Sequence, residues 1–574
     1  MKALLIASLL LCGLLPGTIL AQSPTIAAVE NNYSFTRPGL PNYGIAQGSI
    51  FVIFGSNLAN TSTGLQSVPL QTTLDGVAVT VTVNGTTKQA LLYYVTPTQV
   101  AGILPSSVPV GTGQITVTNN GATSAPSQLV VVQSAFGILT LNNGTGPAAA
   151  FAASSNYLGA SNASNAGDTI VIWGTGAGPV GDDNKQSPVT APIEVDIGGT
   201  SAKILYAGRS QYPGLDQINV VVPQGLTGCY VSVVVRSGSL VSNFSSIPVA
   251  GSGKTCSDVT TGLGLSASQI EGLAGKTTIT VGTLGLIKTH ISTPATVVNG
   301  ITILPANNYS LDNGAAGFTR VTLPQQFDPY VALGASNTAI SIGSCLVYTV
   351  SASTSGSGGS SSSTPTPSPL PSVSTVNLNA GPSINVTGPD GTKSMPFSNG
   401  TYGAQLGGGI GSAALPDFIP DAGGTFTFDN GSGGPDIGHF NVPLTFNPVV
   451  WTNMASFNTI QRSQAATVTW TWNGSDSSTF VDISGSSGTL MGSQYVFGFF
   501  NCTAPASAHT FTVPASVLLA LPRSGSISAG STSIPLPGSL GVMSYTLATS
   551  ISIPGVDFAY AYAYSGSSAT PTYQ

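Results

Sequence analysis

Three stretches carry residue types whose spacing could do chemistry. Residues 169–183 read TIVIWGTGAGPVGDD, where Gly176, Gly178 and Gly181 have the G-x-G-x-x-G spacing that cradles a dinucleotide. Residues 251–255 read GSGKT, the tail of a phosphate-binding loop. Residues 429–439 read DNGSGGPDIGH and gather Asp429, Asp436 and His439 among glycines. Such a set suits a calcium or other metal ion, or a hydrolytic carboxylate.

Each reading meets a physical objection. A dinucleotide loop needs a helix behind it, so that helical N–H groups meet the pyrophosphate. Here Pro179, Val180, Gly181, Asp182 and Asp183 follow with no helical period, and the two aspartates repel phosphate. The GSGKT stretch lacks the first glycine of its motif, since Pro248 stands in that place. Residues 429–439 lack the alternating ligands of an EF-hand loop, so a hairpin turn with a solvated aspartate is the stronger reading. His290, His439 and His509 lie far apart in sequence, and no H-E-x-x-H or strand-to-helix G-x-S-x-G occurs. The sequence therefore assigns no catalytic, cofactor-binding or metal-ligating residue, and no nucleotide partner.

Aromatic rows give a different kind of site. Trp470 and Trp472 alternate, as do Phe558, Tyr560, Tyr562 and Tyr564, so each row faces one side of a strand. An exposed row stacks on sugar rings, whereas an inward row is core. Core is the stronger reading for the tryptophans. The tyrosines divide evenly, because a phenol keeps one end wet.

The elements that position these residues are β-strands. Charged residues make up 6% of 574, and the formal net charge is −6. So few cations build no basic patch, which argues against nucleic acid. Thr, Val, Ser and Gly dominate over strong helix formers, which favours strands and turns. The length implies several cores. Residues 1–21 combine Lys2, an apolar run and a small-residue end at Ala21. We read them as a secretory signal peptide cleaved after Ala21, and no later stretch is apolar enough for a membrane helix.

Removal of that segment leaves Cys229, Cys256, Cys345 and Cys502. An even number in an exported chain implies two disulfides. Three pairings are open, and Cys229–Cys256 with Cys345–Cys502 is the favoured one.

The first half contains a repeat. Residues 48–56 (GSIFVIFGS) match residues 167–175 (GDTIVIWGT), 119 positions apart. VTVNG at 81–85 answers VDIGG at 195–199, Gln99 and Pro105 answer Gln217 and Pro223, and Ser124 answers Ser242. The order survives from residue 48 to Ser124, so this is a tandem duplication. Short strands with regular Gly, Asn and Pro turns suit one immunoglobulin-like sandwich per unit.

The stretches GSIFVIFGSNLA, LYYVTPTQ, IVIWGTGAGPV and LDQINVVVP resemble the tandem IPT/TIG-type region of secreted acidobacterial proteins, the Solibacter uncharacterised C-terminal domain family. The resemblance covers roughly residues 24–250. It implies Ig-like sandwiches on an exported protein and carries over no catalytic residue. Here the region lies near the N-terminus, a departure from the family's name.

The expected fold is all-β and multidomain. Its parts are the signal peptide (1–21), Ig-like units at 22–133 and 134–250, a β-rich region with a short helix (251–354), a Gly/Ser/Pro/Thr linker or loop (355–374) and a C-terminal sandwich-like region (375–574). The expected function is adhesion or scaffolding by a secreted or cell-surface, non-catalytic protein. Its expected partners are polysaccharide or cell-surface proteins. A carbohydrate-binding protein is the first alternative and a secreted hydrolase the second.

Overall fold

The computed structural model describes residues 22–183, 185–257, 265–273, 275–293, 296–298, 301–304, 307–322, 340–353, 374–409, 414–491, 494–529 and 532–574. The signal-peptide reading and most of residues 355–374 lie outside them. The described chain is a multidomain all-β protein with short helical turns.

The two N-terminal units are immunoglobulin-like sandwiches of one topology. In the first, strands Ile50–Ser56, Gln99–Ile103 and Leu91–Val95 pair in that order. In the second, Thr169–Thr175, Asp216–Val221 and Lys203–Arg209 do the same. The facing sheets repeat too. A short parallel bridge joins Ile45–Ala46 to Ser127–Val132 in one unit and Ser164–Asn165 to Ser245–Ala250 in the other. The duplicated serines have one job, since Ser124 Oγ accepts the N–H of Val117 and Ser242 Oγ accepts that of Val235. Strand Val77–Val83 shows why the sequence folds this way. Its valines Val77, Val79, Val81 and Val83 all point inward and are fully buried, while the residues between them are half-exposed.

A large mixed sheet dominates the rest. Strands Thr278–Thr293 and Asn307–Thr322 pair along their whole lengths. Thr278–Thr293 also pairs in parallel with Phe558–Ala569, from the far end of the chain. The sheet continues through Ser539–Ile551, Thr479–Met491 and Gln494–Pro505 to an edge strand, Cys345–Ser353. One face of this sheet is core throughout. Over one half it meets Trp470, Trp451 and Leu521; past Asn307–Thr322 the same sheet runs on to Gly424–Asp429 and Asn441–Phe446, whose Phe426 and Phe446 share the core of the other half with Phe418.

The short helix Ala267–Leu273 starts with a capping box. Ser266 Oγ accepts the N–H of Gln269, and Gln269 Oε1 accepts that of Ser266. It packs in a small core with Cys229, Cys256, Ile279 and Phe558, which joins the second unit to the large sheet. Disulfides join Cys229 to Cys256 and Cys345 to Cys502.

Candidate functional site

The G-x-G-x-x-G stretch ends strand Thr169–Thr175 and turns at Gly176 and Gly178, both in left-handed backbone. Its amides do bind an anion, and the anion belongs to the chain. Asp216 Oδ2 accepts the N–H groups of Gly176 and Ala177, each at 2.8 Å. Asp216 Oδ1 takes the guanidinium Nε of Arg209 at 2.7 Å, and neither side chain is exposed. Burial pushes the Asp216 carboxyl up, while Arg209 and the two amides pull it back. The Gly176 and Ala177 donors that would meet a phosphate are thus taken by Asp216.

Arg209 then crosses into the first unit. Its Nη2 donates to the Gly48 carbonyl at 2.6 Å, and its Nη1 donates to the Asp183 carbonyl at 3.1 Å. The Asp183 carboxylate accepts the backbone N–H of Ser106 at 2.9 Å and its hydroxyl at 2.5 Å. Thr175 completes the contact, accepting the N–H of Ile50 and donating to the Gly214 carbonyl. The stretch is thus the joint between the two sandwiches. Arg209, Asp216 and Ser106 had no role in the sequence reading. The available signal was an aspartate in the apolar run DQINVVV, in a chain with few charges.

GSGKT lies against the second unit. Lys254 O accepts the N–H of Ala163, and Gly253 O accepts the side-chain amide of Asn165. The carboxylates of 429–439 serve their own turns. Asp429 accepts the Gly431 N–H and the Asn441 amide, which hold its carboxyl below the usual range. Asp436 accepts the N–H of Asn379, and His439 Nδ1 bonds to the Gly431 carbonyl. Among the described residues no cluster of three or more His, Cys, Asp or Glu side chains could hold a metal ion.

The aromatic rows separate into core and surface. Trp470 and Trp472 are buried, with their indole N–H groups donating to Ala506 O and Asn447 O. Of the two readings open to Trp470 and Trp472, ligand stacking and core, their rings take the second: they belong to the core under the large sheet. Tyr560, Tyr562 and Tyr564 lie on the sheet's other face and are half-buried. Tyr545 joins them, stacked on Tyr564 at 4.5 Å between ring centres. Tyr562 packs over Gly285, where an added Cβ would come within 2.3 Å of the ring. On the same face, three strands away, Tyr348 stacks on Phe499 at 5.3 Å, and Phe497 and Tyr495 extend that row.

Asp482 sits between the two groups, opposite Met543. Its Oδ1 is sealed from solvent with no hydrogen-bond partner, and burial pushes its carboxyl up to about 7.

No family model and no curated protein matches the chain. Three solved structures show distant likeness. A Bacteroides ovatus mixed-linkage glucan utilization locus protein, SGBP-B, solved with a mixed-linkage heptasaccharide, shares 10% identity at a TM-score of 0.12, covering 83% of this chain and 95% of that one. Titin domains A168–A170 share 9% at 0.13, covering 73% and 98%. Domains 4–9 of the surface layer protein SbsC share 10% at 0.15, covering 96% and 82%. At such scores the chains do not superpose as wholes, and nothing known of those proteins transfers to this one.

Proposed function

We propose that the chain is an exported, non-catalytic protein that acts in adhesion or scaffolding at the cell surface through its Ig-like modules. The observation that carries this reading is the buried joint at Arg209, which ties the two sandwiches into a fixed pair. Interchangeable beads on a string need no such joint, whereas a protein that holds partners at a set distance does. Two disulfides at buried cysteines support an oxidising compartment outside the cytoplasm. The signal-peptide reading and the IPT/TIG resemblance point the same way and remain part of the proposal. The test is to fractionate cells and sequence the mature N-terminus. A chain beginning at Gln22 in the surface or medium fraction supports the reading. An intact Met1 in the cytoplasm overturns it.

A second reading is carbohydrate binding by the half-buried tyrosine face. The half-buried row of Tyr560, Tyr562 and Tyr564 with Tyr545 on one face of the sheet favours it, because such rings offer apolar surface beside a wet phenol end. Tyr562→Ala should then weaken polysaccharide retention without unfolding the chain; unchanged retention sinks it.

A further inference from the structure

A cleft of about 340 Å³ opens beside the joint, where loop residues 210–215 of the second unit lean on the first. Four tyrosines line it: Tyr33, Tyr93 and Tyr94 from the first unit and Tyr212 from the second. Leu65 and Tyr212 form an exposed rim, with 74% and 53% of their surfaces open to solvent. Asn32, Ile50, Ala101 and Leu215 complete the lining.

The cleft is built, not accidental. Tyr93 donates its hydroxyl to the Pro213 carbonyl, so the two units fix its width. Tyr94 is held by its hydroxyl bond to Gln99 Oε1 at 3.1 Å. Gly214 approaches the first unit so closely that an added Cβ would come within 2.5 Å of Ile50. The Thr175 bonds to Ile50 and Gly214 lock that approach from behind.

Its chemistry selects an occupant. No charged side chain lines the cleft, and the nearest ion pair, Arg209 with Asp216, is mutually neutralised beneath it. A charged ligand would find no partner. Peptide capture by strand addition is closed, because the outer edge of strand Leu91–Val95 is already paired. Thr63 and Val95 exchange backbone bonds, and the Gln71 carbonyl accepts the N–H of Leu92. A wholly aliphatic ligand would leave unmatched the polar groups that the tyrosines and Asn32 bring to the lining. Phenol faces beside an amide match a sugar ring, which offers an apolar C–H face and polar edges.

We propose that this inter-unit cleft binds a short stretch of an uncharged polysaccharide, with Tyr212 as the exposed stacking platform. The site is separate from the tyrosine face of the large sheet and does not depend on it.

The test uses the full mature chain with its disulfides formed, in affinity electrophoresis. Gels carry one soluble neutral polysaccharide each (hydroxyethyl cellulose, xyloglucan, galactomannan), with alginate as the charged control. A proline-rich peptide is titrated separately by fluorescence anisotropy. Retardation in at least one neutral gel is expected. Tyr212→Ala and Tyr94→Ala should each weaken it about tenfold, an aromatic stacking loss. Tyr212 is exposed, so its variant should keep the wild-type melting temperature. Tyr562→Ala should leave retardation unchanged. The proposal falls if no neutral gel retards the chain, or if Tyr212→Ala binds like wild type. It also falls if Tyr562→Ala alone abolishes binding, which would move the site to the sheet face. Capture of alginate or the peptide in place of neutral glycans overturns it as well.

Discussion

At the scale of single residues, the buried charges decide most. Arg209 binds both sandwiches and the turn amides' own carboxylate. Its removal leaves Asp216 buried and without its cation. Arg209→Ala should therefore cost about 3–5 kcal/mol of stability, measured by urea unfolding. Two other carboxyls set a pH dependence. Burial raises both Glu30, against the pull of Arg37, and Asp482 to about 7. In the unfolded chain both titrate near 4. Between those values the folded state binds protons that the unfolded state releases, so stability falls as pH rises and is flat above about 7. The melting temperature should thus be higher at pH 5 than at pH 8. Glu30→Gln with Asp482→Asn should flatten that slope and stabilise the chain at pH 8. Asp417, Asp429 and Asp557 are held below the usual carboxylate range, so their contribution is lost only in stronger acid. None of this was legible in the sequence. Asp183 read there only as a charge that repels phosphate, because its partner Ser106 on the other unit leaves no local trace.

At the scale of elements, the sequence spoke more clearly. The duplicated stretch, its matched strands and the paired serines were all readable, because they repeat. The glycine shared by both copies has a reason the sequence could not supply. Gly55 and Gly174 are not in left-handed backbone. They are glycines because a neighbouring strand crosses too closely. An added Cβ at Gly55 would sit 1.9 Å from Thr25 O, and at Gly174 it would meet Phe136 at 2.2 Å. Gly55→Ala and Gly174→Ala should each destabilise by about 1–3 kcal/mol. Gly181→Ala, in open space, should stay within about 0.5 kcal/mol. Equal losses at all three would refute close approach as the cause. The aromatic rows mark the limit of such reading. Alternation placed Trp470 with Trp472, and Tyr560 with Tyr562 and Tyr564, each on one side. Which side is core depends on distant strands packed over the sheet, and no local pattern records that.

At the scale of the whole molecule, the long-range pairings hold the C-terminal half together. Strands that read as short, separate runs are long members of one sheet; their glycines, serines and threonines hide the alternation. The Cys345–Cys502 disulfide sits directly across the edge pair of that sheet and spans 157 residues. Cys229–Cys256 spans 27 and staples the second unit to the helix-bearing segment. A cross-link that closes a longer loop removes more freedom from the unfolded chain, roughly 5 against 3–4 kcal/mol here. The double variant Cys345→Ser with Cys502→Ser should therefore lose about 1–2 kcal/mol more than Cys229→Ser with Cys256→Ser, in non-reducing urea unfolding. In the Cys345→Ser, Cys502→Ser variant, hydrogen exchange should show strand Cys345–Ser353 opening early, since it pairs on one side only within the sheet and the disulfide no longer pins it. If the shorter loop proves the costlier to open, the staple between second unit and sheet, not chain entropy, governs how this molecule stays whole. The scaffold would then come apart at its seams before its sheets.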